Sequence, residues 1–216
     1  MRGADFNRAN LAGADFYKAE ITDSQLQSAV SIQNARLPNG SLAHDPNLLA
    51  NGYADCDTPV QNSWQVLEGV VVTIKSETDQ SGCYFVSRSA NTKAIMTQYI
   101  NLTDIWDSSV WTESKAVLQG WVTVGVSIQM NAKGDNDTVI GHALLSEMNY
   151  TEDHHLSTFF LPLANQERRV SLQLTERMQK LEVLVTFNAS TKAGDNSKRN
   201  GCDDIAVFIE YDTKRS

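Results

Sequence analysis

The segment DIWDSSVWTES, residues 104–114, sets Trp106 and Trp111 among aspartates, serines and a glutamate. An indole in such surroundings has water beside it, and a flat apolar ring held in water can stack on the apolar face of a sugar ring. Both are therefore candidate ligand-binding residues. Trp121 sits on the outward parity of an alternating stretch and is a third candidate, able to line a sheet face; inter-sheet packing is the competing role for it and for Trp64. Tyr53 and Tyr150 are lesser candidates. Asp153 with His154 and His155 offers imidazole beside carboxylate, but a histidine pair in a polar stretch reads as solvated surface. The chain contains no G-x-S-x-G, no H-E-x-x-H and no Gly-rich phosphate loop. Its many carboxylates form no obvious acid–base pair. These residues predict binding rather than catalysis, with no catalytic residue to nominate.

Composition narrows the partners. A net charge of −8 argues against nucleic acid, whose phosphates require a basic face. No run of about 18 apolar residues exists to span a membrane. Five acceptor sequons occur, at Asn39, Asn101, Asn136, Asn149 and Asn188, and they point outside the cell or to its surface. The first twenty residues hold no apolar signal core. Met1 falls inside a repeat phase, so the chain is expected to begin partway through a longer gene product.

That phase is five residues long. Phe6, Leu11, Phe16, Ile21 and Leu26 share one position, and Ala4, Ala9, Ala14, Ala19 and Ser24 share another two residues earlier. Between them stand Asp5, Asn10, Asp15, Glu20 and Gln25. After Ala29 the phase slips by one, and Ile32, Leu37 and Leu42 continue it, with Ala35 in the small slot. A five-residue period fits neither a helix nor a strand; it fits a square coil whose sides each send two residues inward. The turn-rich stretch PNGSLAHDPN closes the array. Beyond it the period becomes two: Val70, Val72 and Ile74 inward; Val170, Leu172 and Leu174; Leu181, Val183, Val185 and Phe187; Ile205, Val207 and Ile209. The longest alternation, residues 116–130, carries Leu118, Val122, Val124, Val126, Ile128 and Met130 on one parity, with Gly120 and Gly125 as places to bend.

The opening array resembles the pentapeptide-repeat family, a right-handed quadrilateral β-helix. Long arrays of that family imitate duplex DNA; this one is short and carries Arg2, Arg8, Lys18 and Arg36 beside its acids, which suits a spacer or cap. Four later landmarks, NLLANGYAD (47–55), SGCYFVS (81–87), IMTQYINLT (95–103) and GCDDIAVFI (201–209), resemble in order the strands of galactose-binding-like jelly rolls, a fold of many carbohydrate-binding modules. The expected fold is all-β: a short β-helix over residues 1–42, then an antiparallel jelly-roll β-sandwich over residues 43–216. The resemblance implies a structural calcium between first and last strands, with Asp55 and Asp203 or Asp204 as carboxylate ligands; Asp55 stands where the family usually has Glu. In an oxidising compartment two of the three cysteines would pair: Cys56–Cys83 is favoured and Cys56–Cys202 is the rival; in a reducing cell the alternative is three buried thiols. The expected partner is a glycan, or alternatively a cell-surface or extracellular protein.

Overall fold

The computed structural model describes residues 3–7, 9–29, 31–43, 45–75, 82–89, 92–108, 113–123, 125–146, 168–189 and 201–211. Its N-terminal part is a coil built from one repeated corner. At each corner a large residue's carbonyl accepts from the amide three residues on: Phe6 from Ala9 at 2.9 Å, Leu11 from Ala14 at 3.0 Å, Phe16 from Ala19 at 2.8 Å. The polar slot serves the same turns. Asp5, Asn10 and Asp15 each accept, through a side-chain oxygen, the amide two residues later, all at 2.9 Å. Asp and Asn are the residues that make this turn best, which explains their place in the repeat.

Successive coil turns stack in parallel, Asn10 against Ser31 and Asp15 against Arg36. That step is one residue longer than four pentapeptides, so the slip after Ala29 is the phase shift the stacking needs. One side is helical: Thr22 and Gln25 form a reciprocal capping box that starts α1, Asp23–Gln27. Phe6, Phe16, Leu26, Ala35 and Ala43 fill the interior. Leu42 departs from expectation and is 59% exposed. The chain reverses through residues 38–41, Arg36 pairs antiparallel with Leu42, and Ala43 takes the inner place by exchanging hydrogen bonds with Asn34 and Ala35. The coil thus ends in a hairpin rather than another side. Asp45 finishes it, accepting from the Ser31 hydroxyl at 2.6 Å and the Ile32 amide at 2.7 Å.

Ten strands follow: β1 Gln65–Glu68, β2 Val71–Lys75, β3 Cys83–Ser87, β4 Ala94–Asn101, β5 Lys115–Val122, β6 Val126–Lys133, β7 Val139–Ser146, β8 Arg168–Gln173, β9 Lys180–Phe187 and β10 Gly201–Glu210. They form two five-stranded sheets, ordered β1-β4-β9-β6-β7 and β2-β3-β10-β5-β8, with antiparallel pairing throughout. This is the expected jelly-roll sandwich. Leu181, Val183, Val185 and Phe187 of β9 and Ile205, Val207 and Ile209 of β10 face the shared core, as their alternation predicts. The long run 116–130 is two strands in opposite sheets, crossing at a turn where Gly125 takes φ 78°; Val124 lies outside the described residues.

One parity is reversed. Val71, not Val70, enters the core; Val70 is 52% exposed, and Val72 and Ile74 are half-buried. Three consecutive valines satisfy either parity, and pairing decides: Thr73 lies opposite the fully buried Phe85. The disulfide is Cys56–Cys83, with Cα atoms 5.4 Å apart, tying the loop before β1 to β3. Cys202 is a buried thiol that desolvation pushes well above its ordinary value, so it stays protonated and inert.

Candidate binding face

The outer side of the first sheet carries a row of aligned polar side chains. Register places Tyr99 of β4 opposite Glu182 of β9, Glu182 opposite Asn131 of β6, and Asn131 opposite His142 of β7. Outward parity puts all four on the side away from the core. Glu182 is the hub. It accepts from the Tyr99 hydroxyl at 2.8 Å, the Asn131 amide at 3.0 Å and the Lys133 ammonium at 2.9 Å. Gln129 extends the chain, donating to Asn131 Oδ1 at 2.6 Å. Burial alone would raise the Glu182 carboxyl, but the Lys133, Asn131 and Tyr99 hydrogen bonds outweigh it and hold the group below its ordinary value. The same bond pushes the Tyr99 hydroxyl up, keeping it a donor.

Tyr99 remains 47% exposed. The Lys133 and Lys180 ammoniums each lie 5.4 Å from its ring centroid, and Lys180 pairs with Asp137. Each positive charge therefore has a carboxylate partner. The next row along the strands is Thr97, Leu184, Gln129 and Leu144. There Leu184 is half-buried and Leu144 is 50% exposed. The face thus presents an open aromatic ring, aliphatic surface, and fixed donors and acceptors, with its charges compensated. Where β4 and β9 meet the β6–β7 turn it ends in a polar hollow lined by Asn101, Thr103, Asn136, Asp137, Gln179 and Lys180.

The residues expected from sequence fall elsewhere. Trp106 is not a surface platform: it is 8% exposed and packed into the sandwich core. The 3-10 turn Leu102–Asp104 folds it back, its amide donating to the Leu102 carbonyl at 2.9 Å, so its polar neighbours take the water instead. Trp111 lies outside the described residues, as do Tyr150, Asp153, His154, His155 and Asn149. Trp121 is half-buried on the outer side of the second sheet, opposite Asp203, and so shares no face with Tyr99. Trp64 is buried between layers, edge-on to Phe85, with its indole N–H donating to Asn51 O at 3.2 Å. Tyr53 is 57% exposed over a smaller hollow with Asp55, Asp57, Lys75 and the disulfide. Asn39, Asn101, Asn136 and Asn188 are all exposed.

The segments implied to hold calcium do meet, through backbone and the Asn47 side-chain amide rather than carboxylates. Asn47 donates to Ile205 O at 2.8 Å and accepts from Val207 N at 3.0 Å; Leu48 donates to Val207 O, and Gly52 O accepts from Ile205 N. A Cβ on Gly52 would stand 2.0 Å from Ile205 O, so only glycine permits this approach. Asp55 turns its carboxylate onto its own loop, accepting from the Thr58 hydroxyl at 2.7 Å and the Asp57 amide at 3.2 Å; these bonds hold its carboxyl below the ordinary value. Asp203 accepts the Asp204 amide at 2.8 Å, and Asp204 sits at φ 50°. Among the described residues no three acidic, histidine or cysteine side chains gather into a group able to hold a metal ion. Calcium takes six or more oxygens, so an ion at this junction would draw most of them from backbone carbonyls and water.

Residues 1–30 match the pentapeptide-repeat family, in eight copies. The repeated corners of the coil are the physical form of that pattern. No curated protein matches the chain. Among solved structures it is similar to the enzymatically active domain of tailspike protein 4 of bacteriophage CBA120, with 13% identity and a TM-score of 0.46 over 82% of this chain. The chain spans 24% of that domain's length. It is also similar to a structure described as "CBM4 structure and function", with 10% identity and a TM-score of 0.39 over 75% of this chain and 99% of that one. Neither likeness carries an argument about what this chain binds.

Proposed function

We propose that the chain is a non-catalytic, extracellular carbohydrate-binding module, and that the outer face of the first sheet receives the sugar. The observation that carries this reading is the row Tyr99–Glu182–Asn131–His142, with Tyr99 open and Glu182 fixed by three donors. A sugar needs an apolar platform for its C–H face and paired donors and acceptors for its hydroxyls. Tyr99 and Leu144 supply the first; Gln129 and His142 supply the second, with the buried Asn131 fixing Gln129 and Glu182 beneath them. Because Lys133 and Lys180 already face Glu182 and Asp137, the face suits a neutral sugar better than an acidic one. Glu182 is tied to three partners and held ionised, which suits a fixed acceptor and not a proton donor.

The disulfide and the sequons support an extracellular setting. No described helix is long and apolar enough to cross a membrane. The structural calcium implied between residues 47–55 and β10 is a separate question: four hydrogen bonds already fasten residues 47–52 to β10, and a melting temperature measured with and without chelator tells whether an ion adds to them.

The test is a glycan array probed with the folded chain, in calcium and again in a chelator. Binding to neutral glycans in both conditions supports the reading. A blank array transfers the role to protein contact or scaffold, the alternative in which no sugar is bound.

A further inference from the structure

We propose that an N-linked glycan on Asn101 or Asn136 fills the polar hollow at the end of the first sheet and covers Lys180. Of the four sequon asparagines among the described residues, Asn39 lies on the coil and Asn188 follows the last residue of β9. The other two converge. Asn101 ends β4 opposite Lys180, the first residue of β9, and Asn136 stands in the β6–β7 turn. Both line one hollow with Asp137, Gln179 and Lys180. Both asparagines are exposed, as are their third-position threonines, Thr103 and Thr138, so a transferase can reach each tripeptide from solvent. Neither amide is committed to the core: Asn101 holds its own turn, accepting from Thr103 and donating to Asp104 at 2.7 Å, and Asn136 occupies a left-handed turn position at φ 55°.

The transfer is balanced with a named donor, an oligosaccharide carried on a lipid pyrophosphate. A bond forms from the asparagine Nδ2 to the anomeric carbon. The anomeric carbon–oxygen bond breaks, and the lipid pyrophosphate leaves with the electron pair. The amide proton passes to a base of the transferase. The attached sugar then occupies the space beside Lys180, which touches both the Tyr99 ring and Asp137. A binding face that is open in the unmodified chain is closed at that end in the modified one. This consequence for ligand access rests on the sugar-binding reading of the face; the covering of Lys180 does not.

The test uses the full chain secreted from a glycosylating host, and the same chain made without glycans. Enzymatic release of glycans in heavy-oxygen water marks each occupied asparagine as labelled aspartate. Acetylation of Lys180 by an N-hydroxysuccinimide ester is then compared between the two preparations, with Lys75, exposed near the disulfide, as the internal control. The expected result is label at Asn101 or Asn136 and a several-fold loss of Lys180 acetylation in the glycosylated chain, with Lys75 unchanged. Absence of label at both positions overturns the proposal, as does label with equal Lys180 reactivity. A blank glycan array overturns the sugar-binding reading and leaves this result untouched.

Discussion

In the coil, inward residues recur along one continuous stretch of chain, with a single slip after Ala29, and successive turns stack 21 residues apart. In the sandwich, the core is assembled from ten strands that are distant in sequence, and its outer face aligns residues from four of them. The coil's buried interior is Phe6, Phe16, Leu26, Ala35 and Ala43, walled by half-buried alanines, leucines and isoleucines, with one ring pair at 5.9 Å. The sandwich encloses Phe85, Phe187, Met96, Ile128, Met130 and Leu181 without exposure. A repeat array stabilises itself through neighbours, and this one has few. The difference teaches where each feature resides: local rules suffice for the coil, whereas the proposed binding face requires long-range register.

Breaking the two cores should separate them first. Phe85→Ala removes a fully buried ring from the sandwich and should cost about 3–5 kcal/mol. Phe16→Ala in the coil, where the wall is thin and can close in, should cost about 2 kcal/mol or less. Denaturant unfolding of both variants measures this, and equal losses would mean that coil and sandwich share one core.

The staple and the stitch come next. Replacing Cys56 and Cys83 with alanine should cost about 3 kcal/mol, the value for a closed loop of a few tens of residues. Asn47→Ala strands the Ile205 carbonyl and the Val207 amide and should cost about 2 kcal/mol. If either change costs nothing, the loop before β1 is not held in the way described.

The smallest effect is electrostatic. Glu182 has a depressed carboxyl value in the folded chain, so its contribution to stability is present above its ordinary value of 4.5 and is lost as pH falls through the lower folded value. The Glu182→Gln variant lacks this titration. The gap between wild type and variant should therefore narrow as pH is lowered from neutrality into that acid range. A gap independent of pH would place Glu182 outside the network.

Most of the coil was legible because a five-residue phase carries both its corner chemistry and its inward positions; Leu42 misled, because a Pro-Asn-Gly-Ser turn reversed the chain where the phase implied another side, and the phase gave no sign that the Thr22/Gln25 capping box starts a helical side. Within the sandwich, β9 and β10 were legible because each has one apolar parity. Val70 to Val72 was not, since both parities are apolar. The candidate face was half legible. Alternation puts Tyr99 and Glu182 outward on their own strands, but nothing local reports that β4 and β9 are neighbours in that register. Trp106 misled for the opposite reason: its neighbours are polar, yet one 3-10 turn swings the ring inward.

The most direct measurement is glycan binding by Tyr99→Ala and Trp121→Ala side by side, with wild-type melting temperatures as the fold control. If the outer face of the first sheet is the site, Tyr99→Ala loses binding and Trp121→Ala retains it. The reverse pattern, with loss at Trp121 and full binding without Tyr99, would contradict that assignment and move the site to the second sheet.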